Sequence, residues 1–271
     1  MNRKFGINCD CIRNGDTPLV EVISICKEVG FNCLFSNQKD RKTMVEIKNK
    51  ADSLGMPFEF IHAPFRGSNN MWLEGDEYLT LFNGIKESID TAEENGIEGI
   101  VCHVSSGWHT PPLCDLGYKR FDELVEYAEK KKIKIAFENV RKLGDHASIM
   151  HRYVGNAYVG FCYDSGHENC YTETVPFIDL YHDRLWYTHL NDNVGRDHND
   201  LEADGDFHYL PFDGTCDFHK MIDQMDKYNY KGSLTLEVFN DTKPEYKLLT
   251  AKEYIKLCYD RVSKINELSK N

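Results

Sequence analysis

No stretch of this sequence approaches the roughly 20 consecutive apolar residues of a membrane-spanning helix, which argues against a membrane partner. The opening run MNRKFGINCDC lacks the apolar segment of a secretory signal. Basic residues are in deficit: 32 Lys plus Arg face 44 Asp plus Glu, for a net charge of −12. A protein that grips a nucleic-acid backbone sets Lys and Arg against the phosphates, so the balance speaks against a nucleic-acid partner. A glycine-rich phosphate loop of the P-loop or dinucleotide type is missing. So is any linker, low-complexity run or composition shift, and a single domain over residues 1–271 is expected.

Cysteine is plentiful, at ten residues, but scattered. Cys33, Cys102 and Cys162 fall inside strand-like runs, where a thiol packs as a small hydrophobe. Cys9-Asp10-Cys11 hints at a metal, but core packing is the plainer reading. Without a signal peptide, reduced thiols and a cytoplasmic location are expected. A hydrophobic share of 41% with 28% charged residues is ordinary for a globular protein. The length is close to the ~250 residues typical of an α/β barrel.

What is present is a rhythm: apolar run, loop, amphipathic stretch, glycine, apolar run. Strands are read at residues 4–9, 31–35, 57–63, 99–105, 134–140, 159–167, from Leu185, and at 233–239. Between them Leu19, Val22, Ile23 and Cys26, then Met44, Ile47, Ala51 and Leu54, recur at helical spacing. Tyr78–Ala92, Phe121–Ala128, Ala147–Tyr153, Val175–Tyr181, Phe218–Met225 and Tyr254–Ile265 continue the series. Gly30 stands where a helix ends in a left-handed residue. Each crossover must return the chain in the same direction, so the strands are parallel. Eight such units predict a (β/α)8 TIM barrel.

Reactive groups of such a barrel lie at the C-terminal ends of its strands. His62, His103, Glu138, Asp164, His167, His189, Asp206, His208 and Glu237 all fall there or in the loops just beyond. Taken singly, a strand-end His is usually a hydrogen-bonded structural residue and a buried Glu half of an ion pair. Glu138 and Glu237, however, sit in the apolar runs IAFENV and LTLEVF. Two desolvated carboxylates would take up protons unless a cation neutralised them. With Asp164 and His189 they form a set of three oxygen donors and one imidazole, suited to Mn, Co, Mg or Zn. The further imidazoles favour Zn; one ion is expected, and the donors would accommodate up to three. In the long loops Arg66, Trp108 and Arg196 are the substrate-binding candidates, and Arg141 joins the two arginines as a potential phosphate contact.

From its first strand to its eighth the chain resembles the xylose-isomerase-like barrel superfamily of sugar isomerases, epimerases and endonuclease IV. The resemblance implies that Glu138, Asp164, His189 and Glu237 hold one divalent metal. It further implies that Glu138 and Glu237 act as acid/bases on opposite faces of a metal-stabilised enediolate, with His167 and Arg196 on substrate hydroxyls. The expected substrate is a small carbohydrate: a sugar, polyol ketone or sugar phosphate. Homo-oligomers occur in this family. The alternative is an endonuclease IV-like trinuclear zinc phosphodiesterase acting on abasic DNA. In that branch His62, His103 and Glu138 would hold one zinc, the four-residue set a second, and His167, Asp206 and His208 a third. The surroundings depart from the nuclease. Val104-Ser105-Ser106 replaces its Pro-Gly-Ser, Val140-Arg141-Lys142 replaces a small turn, and Pro211-Phe212-Asp213-Gly214 stands for its Gly-Glu-Gly. These changes fall where DNA would pack and leave the metal donors intact.

Overall fold

Each apolar run pairs in parallel with the one before it, and the eighth lies beside the first. The computed structural model describes residues 3–270. The strands are β1 (Phe5–Asn8), β2 (Cys33–Asn37), β3 (Phe58–His62), β4 (Gly99–Cys102), β5 (Lys134–Glu138), β6 (Val159–Asp164), β7 (Leu185–His189) and β8 (Leu234–Leu236). The connecting helices are α1 (Leu19–Val29), α2 (Arg41–Ser53), α3 (Tyr78–Glu94), α4 (Asp115–Lys131), α5 (Leu143–Arg152), α6 (Phe177–Tyr181), α7 (Phe218–Lys227) and α8 (Ala251–Glu267). This is the (β/α)8 barrel expected from the alternation.

Closure between β7 and β8 is lean. One parallel bridge, Leu190 to Leu236, joins the two strands. The Thr188 hydroxyl completes the seam, donating to Ser233 O (3.0 Å) and accepting from Thr235 N (2.9 Å). A side-chain hydroxyl thus stands in for a ladder carbonyl and amide, which keeps both backbone groups satisfied where the sheet is narrowest.

Phe35, Phe60, Val101, Ala136, Cys162 and Tyr187 fill the barrel interior. The Phe60 ring lies 4.5 Å from both Phe35 and Tyr187, centre to centre. Space for Tyr187 comes from Gly99: a Cβ there would stand 2.6 Å from the tyrosine oxygen. Outside the sheet, the helices bury the stripes that the spacing predicted, such as Val22, Ile23 and Cys26 on α1. Gly30 ends α1 at φ 122°, a conformation that L side chains rarely adopt. All ten cysteines are free thiols, and Cys9 and Cys11 are buried among apolar neighbours. Among the described residues no helix is long and apolar enough to cross a membrane.

One boundary differs where it matters. The apolar pattern carries strand six through His167, but β6 stops at Asp164. There the Asp164 carboxylate accepts the His167 amide at 2.6 Å and starts a helical turn, Ser165–His167. Aspartate is a strong helix N-cap, and this carboxylate overrides the strand pattern.

Behind β5 and β6, His146 of α5 is buried against the rings of Phe161, Phe177 and Tyr181 at 5.3, 5.5 and 5.2 Å. Burial pushes its imidazole from 6.5 down to about 4, with the Phe137 backbone opposing only in part. The folded state therefore resists a proton that the unfolded chain accepts. Stability is unaffected above pH 6.5 and falls as pH drops from 6.5 toward 4, by about 3 kcal/mol in all. Urea melts at stepped pH should show this slope, and H146L should flatten it; an unchanged slope in H146L would remove His146 as the cause.

Candidate metal centre

The barrel brings the predicted donors to one point because they occupy the last position of a strand or the first few beyond it. His62, Glu138, Asp164 and His189 end β3, β5, β6 and β7, while His103 and Glu237 follow directly on β4 and β8. Glu138 is the hub. Its Oε2 lies 3.3 Å from His62 Nε2, 3.0 Å from His103 Nε2 and 3.2 Å from His189 Nδ1. Its Oε1 is 3.2 Å from His167 Nδ1.

Three groups among the described residues have donor atoms all within 4.8 Å of one another: His62/His103/Glu138, His62/His189/Glu237, and Glu138/Asp164/His189/Glu237. The first and last are sets that the resemblance implied. His167, Asp206 and His208 make a looser set, in which both Nε2 atoms converge on Asp206 Oδ2 at 3.2 and 3.3 Å.

Three features fit a cation. First, both nitrogens of His189 and Oε1 of Glu138 are buried without a hydrogen-bond partner. His189 Nδ1 does stand 3.3 Å from Glu237 Oε2, yet the ring is not aligned to donate. Second, His62, His167 and His208 each face a backbone carbonyl with Nδ1, at 2.8, 2.7 and 3.0 Å (Ala63, Asn139 and Glu237 respectively). A carbonyl only accepts, so Nδ1 carries the proton and Nε2 faces the cluster, the usual arrangement of a metal-binding histidine. Third, burial pushes Asp164 up to about 7 although the His167 imidazole opposes it. A carboxyl in that state lacks a full counter-charge, which a divalent ion would supply.

A layer of amides holds the donors still. Asn191 Nδ2 donates to Asp164 Oδ2 at 2.8 Å. Asn139 bonds the Asp164 backbone twice, at 2.9 and 2.7 Å. Both amides lie close after site residues in the sequence, Asn139 directly after Glu138 and Asn191 two beyond His189, and that proximity is the signal by which they could be found.

Above the donors opens a cavity of about 480 Å³ whose wall includes Arg13, Phe65, Arg141, Tyr171, Asp204 and Phe239. Its volume is that of a small-ligand site. Arg141 bonds the Tyr171 hydroxyl at 2.5 Å and is paired with Asp204. Of the loop residues expected at the substrate, Arg66 is exposed outside this wall. Trp108 and Arg196 stand behind it. The Trp108 ring meets Tyr171 edge-on at 5.5 Å, with the Arg196 guanidinium 5.1 Å from the indole. They buttress Tyr171, and the cavity arginines are Arg13 and Arg141.

A parallel eight-stranded barrel with imidazoles and carboxylates gathered at its C-terminal rim defines a class of (β/α)8 protein whose rim could hold a metal ion. Within it, this chain belongs to the family described as xylose isomerase-like TIM barrel, which it matches over residues 23–258. An uncharacterized protein of Sinorhizobium fredii is 27% identical over 234 residues, 83% of this chain and 63% of that protein. The inosose dehydratase of Glaesserella parasuis is 28% identical over 156 residues, 50% of this chain and 52% of that enzyme. The chain thus spans between half and two thirds of the length of these two relatives. A D-allulose 3-epimerase of Methylomonas sp., solved in complex with D-allulose, has a TM-score of 0.73 at 12% identity, covering 97% of this chain and 96% of that one. That likeness is one of fold.

Proposed function

We propose that this protein is a metal-dependent isomerase or epimerase of a small carbohydrate. The observation that carries the reading is the pair of buried carboxylates, Glu138 and Glu237, which share one cluster with Asp164 and His189. A divalent ion bound there would polarise adjacent carbonyl and hydroxyl oxygens of a sugar and acidify the C–H beside the carbonyl. Glu138 and Glu237 come from β5 and β8, three strands apart, and so approach a substrate from different sides. One, ionised, would take the proton from carbon, and the other, protonated, would deliver its own proton to the opposite face of the flattened carbon. His167 is oriented by Asn139 O at Nδ1, which turns Nε2 toward Asp206 and the cavity, where it would meet a substrate hydroxyl.

Supporting context comes from relatives whose names are those of sugar and cyclitol enzymes, the D-allulose 3-epimerase and the inosose dehydratase. The test is wash-in of deuterium from deuterated water into a panel of ketoses, read by NMR. Absence of exchange across neutral, phosphorylated and acidic ketoses would sink the proposal.

The compact His62/His103/Glu138 group favours a second reading, the trinuclear phosphodiesterase on abasic DNA. Against it stand the net charge of −12 and a cavity wall with two arginines and no lysine. Elemental analysis of protein purified without chelators separates the two. About one ion per chain is expected, and its removal by EDTA should abolish exchange and lower Tm. Nearly three zincs per chain, with binding to an abasic duplex at low salt, would put the phosphodiesterase first.

A further inference from the structure

Two guanidinium groups line the cavity, and they differ in what neutralises them. Arg141 follows β5 and is paired with Asp204, as Arg41 is with Glu94 and Arg152 with Asp122. Arg13 follows β1, across the barrel from Arg141, and among the described residues it forms no ion pair. Its guanidinium carbon lies 3.1 Å above the centre of the Phe239 ring, and Phe239 is itself part of the cavity wall.

The backbone beneath Arg13 is pinned. Asn240, fully buried, accepts from the amides of both Arg13 and Asn14 through Oδ1, at 2.7 and 2.8 Å. Its Nδ2 donates to Asn14 O at 2.8 Å, and its own amide donates to Cys11 O at 3.0 Å. The ring below and the amide behind hold an exposed cation over a cavity whose wall also carries Glu138, Asp204, Asp206 and Glu237. A guanidinium keeps its charge at any working pH and offers a planar fork of donors to a carboxylate or phosphate. Ordering it before binding reduces the entropy lost when an anion arrives.

We propose that Arg13 receives an anionic group of the substrate, so that the carbohydrate acted on is a sugar phosphate or a sugar acid rather than a neutral sugar. This rests on the isomerase reading for the centre of the cavity. The anion occupies the β1 side, and the carbonyl end lies over the carboxylates of β5 and β8.

Calorimetric titration of the full metal-loaded chain with D-fructose, D-fructose 6-phosphate and D-fructuronate tests it, in wild type, R13Q, R13K and the surface control R41Q. The wild type and R41Q should bind one of the two anionic sugars at least about tenfold more tightly than D-fructose. R13Q should bring that sugar's affinity down to that of D-fructose, and R13K should restore part of the difference. Whichever of phosphate and carboxylate shows the preference identifies the anion. An R13Q protein that keeps the preference overturns the assignment, as does a wild type that prefers neither anion. Affinity is read separately from deuterium exchange, so failure of exchange and failure of Arg13-dependent selectivity are separate results.

Discussion

Replacing Glu138 by Gln is expected to slow exchange of the substrate C–H with deuterated water by about a thousandfold or more, and Glu237→Gln should do the same. The amide keeps the shape of the side chain but is no base. Glu138 is the more exposed to loss because so much depends on it. Burial acts to raise its carboxyl, yet the imidazoles of His189 and His103 hold it well below the usual range. It is therefore ionised when substrate arrives, and its loss removes the one oxygen that His62, His103 and His189 share. Glu138→Gln should accordingly lose metal as well as activity, on elemental analysis of the same preparation. If both variants retain exchange, the two-base scheme is wrong.

The second large effect is expected at a residue that touches no substrate. Asp192 is fully buried, and its carboxylate accepts four backbone amides. Asn193 and Cys216 donate to Oδ1 at 2.8 and 2.9 Å, and Phe212 and Gly214 to Oδ2 at 2.9 and 3.0 Å. Its own backbone pairs with Tyr209 in both directions, at 2.9 and 2.8 Å. The segment it gathers contains His208 and Phe212 at φ 49° and 73°, strained values for residues with side chains. Asp192→Ala leaves those amides without an acceptor and should cost about 4 kcal/mol of stability, read as a fall in the urea midpoint at constant m. A loss under about 1 kcal/mol would mean that other contacts hold the loop. Asp206 and His208 ride on this segment, so D192A should also weaken whatever those two residues bind.

Much of this is legible in the sequence alone, and the reason is geometric. A buried parallel strand is a run of apolar residues that must end where the sheet ends. His62, Glu138 and His189 interrupt such runs, and a parallel barrel delivers all those interruptions to one rim. The alternation of strand and helix likewise follows from local periodicity. What escaped the pattern depends on partners distant in sequence. Asp164 stops β6 by capping the turn to His167, a role invisible when VGFCYDSGH is read as one apolar run. Arg13 sits in CIRNGD, which reads only as a turn; its importance comes from Phe239 and Asn240, more than 220 residues away by the chain. Arg66, Trp108 and Arg196 stand out in the sequence only by residue type within long loops. Loop composition carries no information on which side chain faces a cavity and which props up its neighbour.

The ring-filled interior of the barrel has a consequence for the path of hydrogen. Phe35 stacks beneath His189 at 5.0 Å, and Phe60 flanks the same imidazole at 5.4 Å. The proposed reaction chamber thus has an apolar floor, and its door is the mouth of the cavity above. A hydrogen lifted from carbon would trade places with solvent through that mouth, which a bound substrate would plug. Hydrogen handed back by the carboxylate that lifted it re-forms the starting epimer, so substrate recovered from deuterated water should show a shortfall of label relative to the product, whose new C–H comes from the opposite carboxyl. Truncating the residues at the mouth, and leaving those at the floor intact, is the way to make that shortfall disappear.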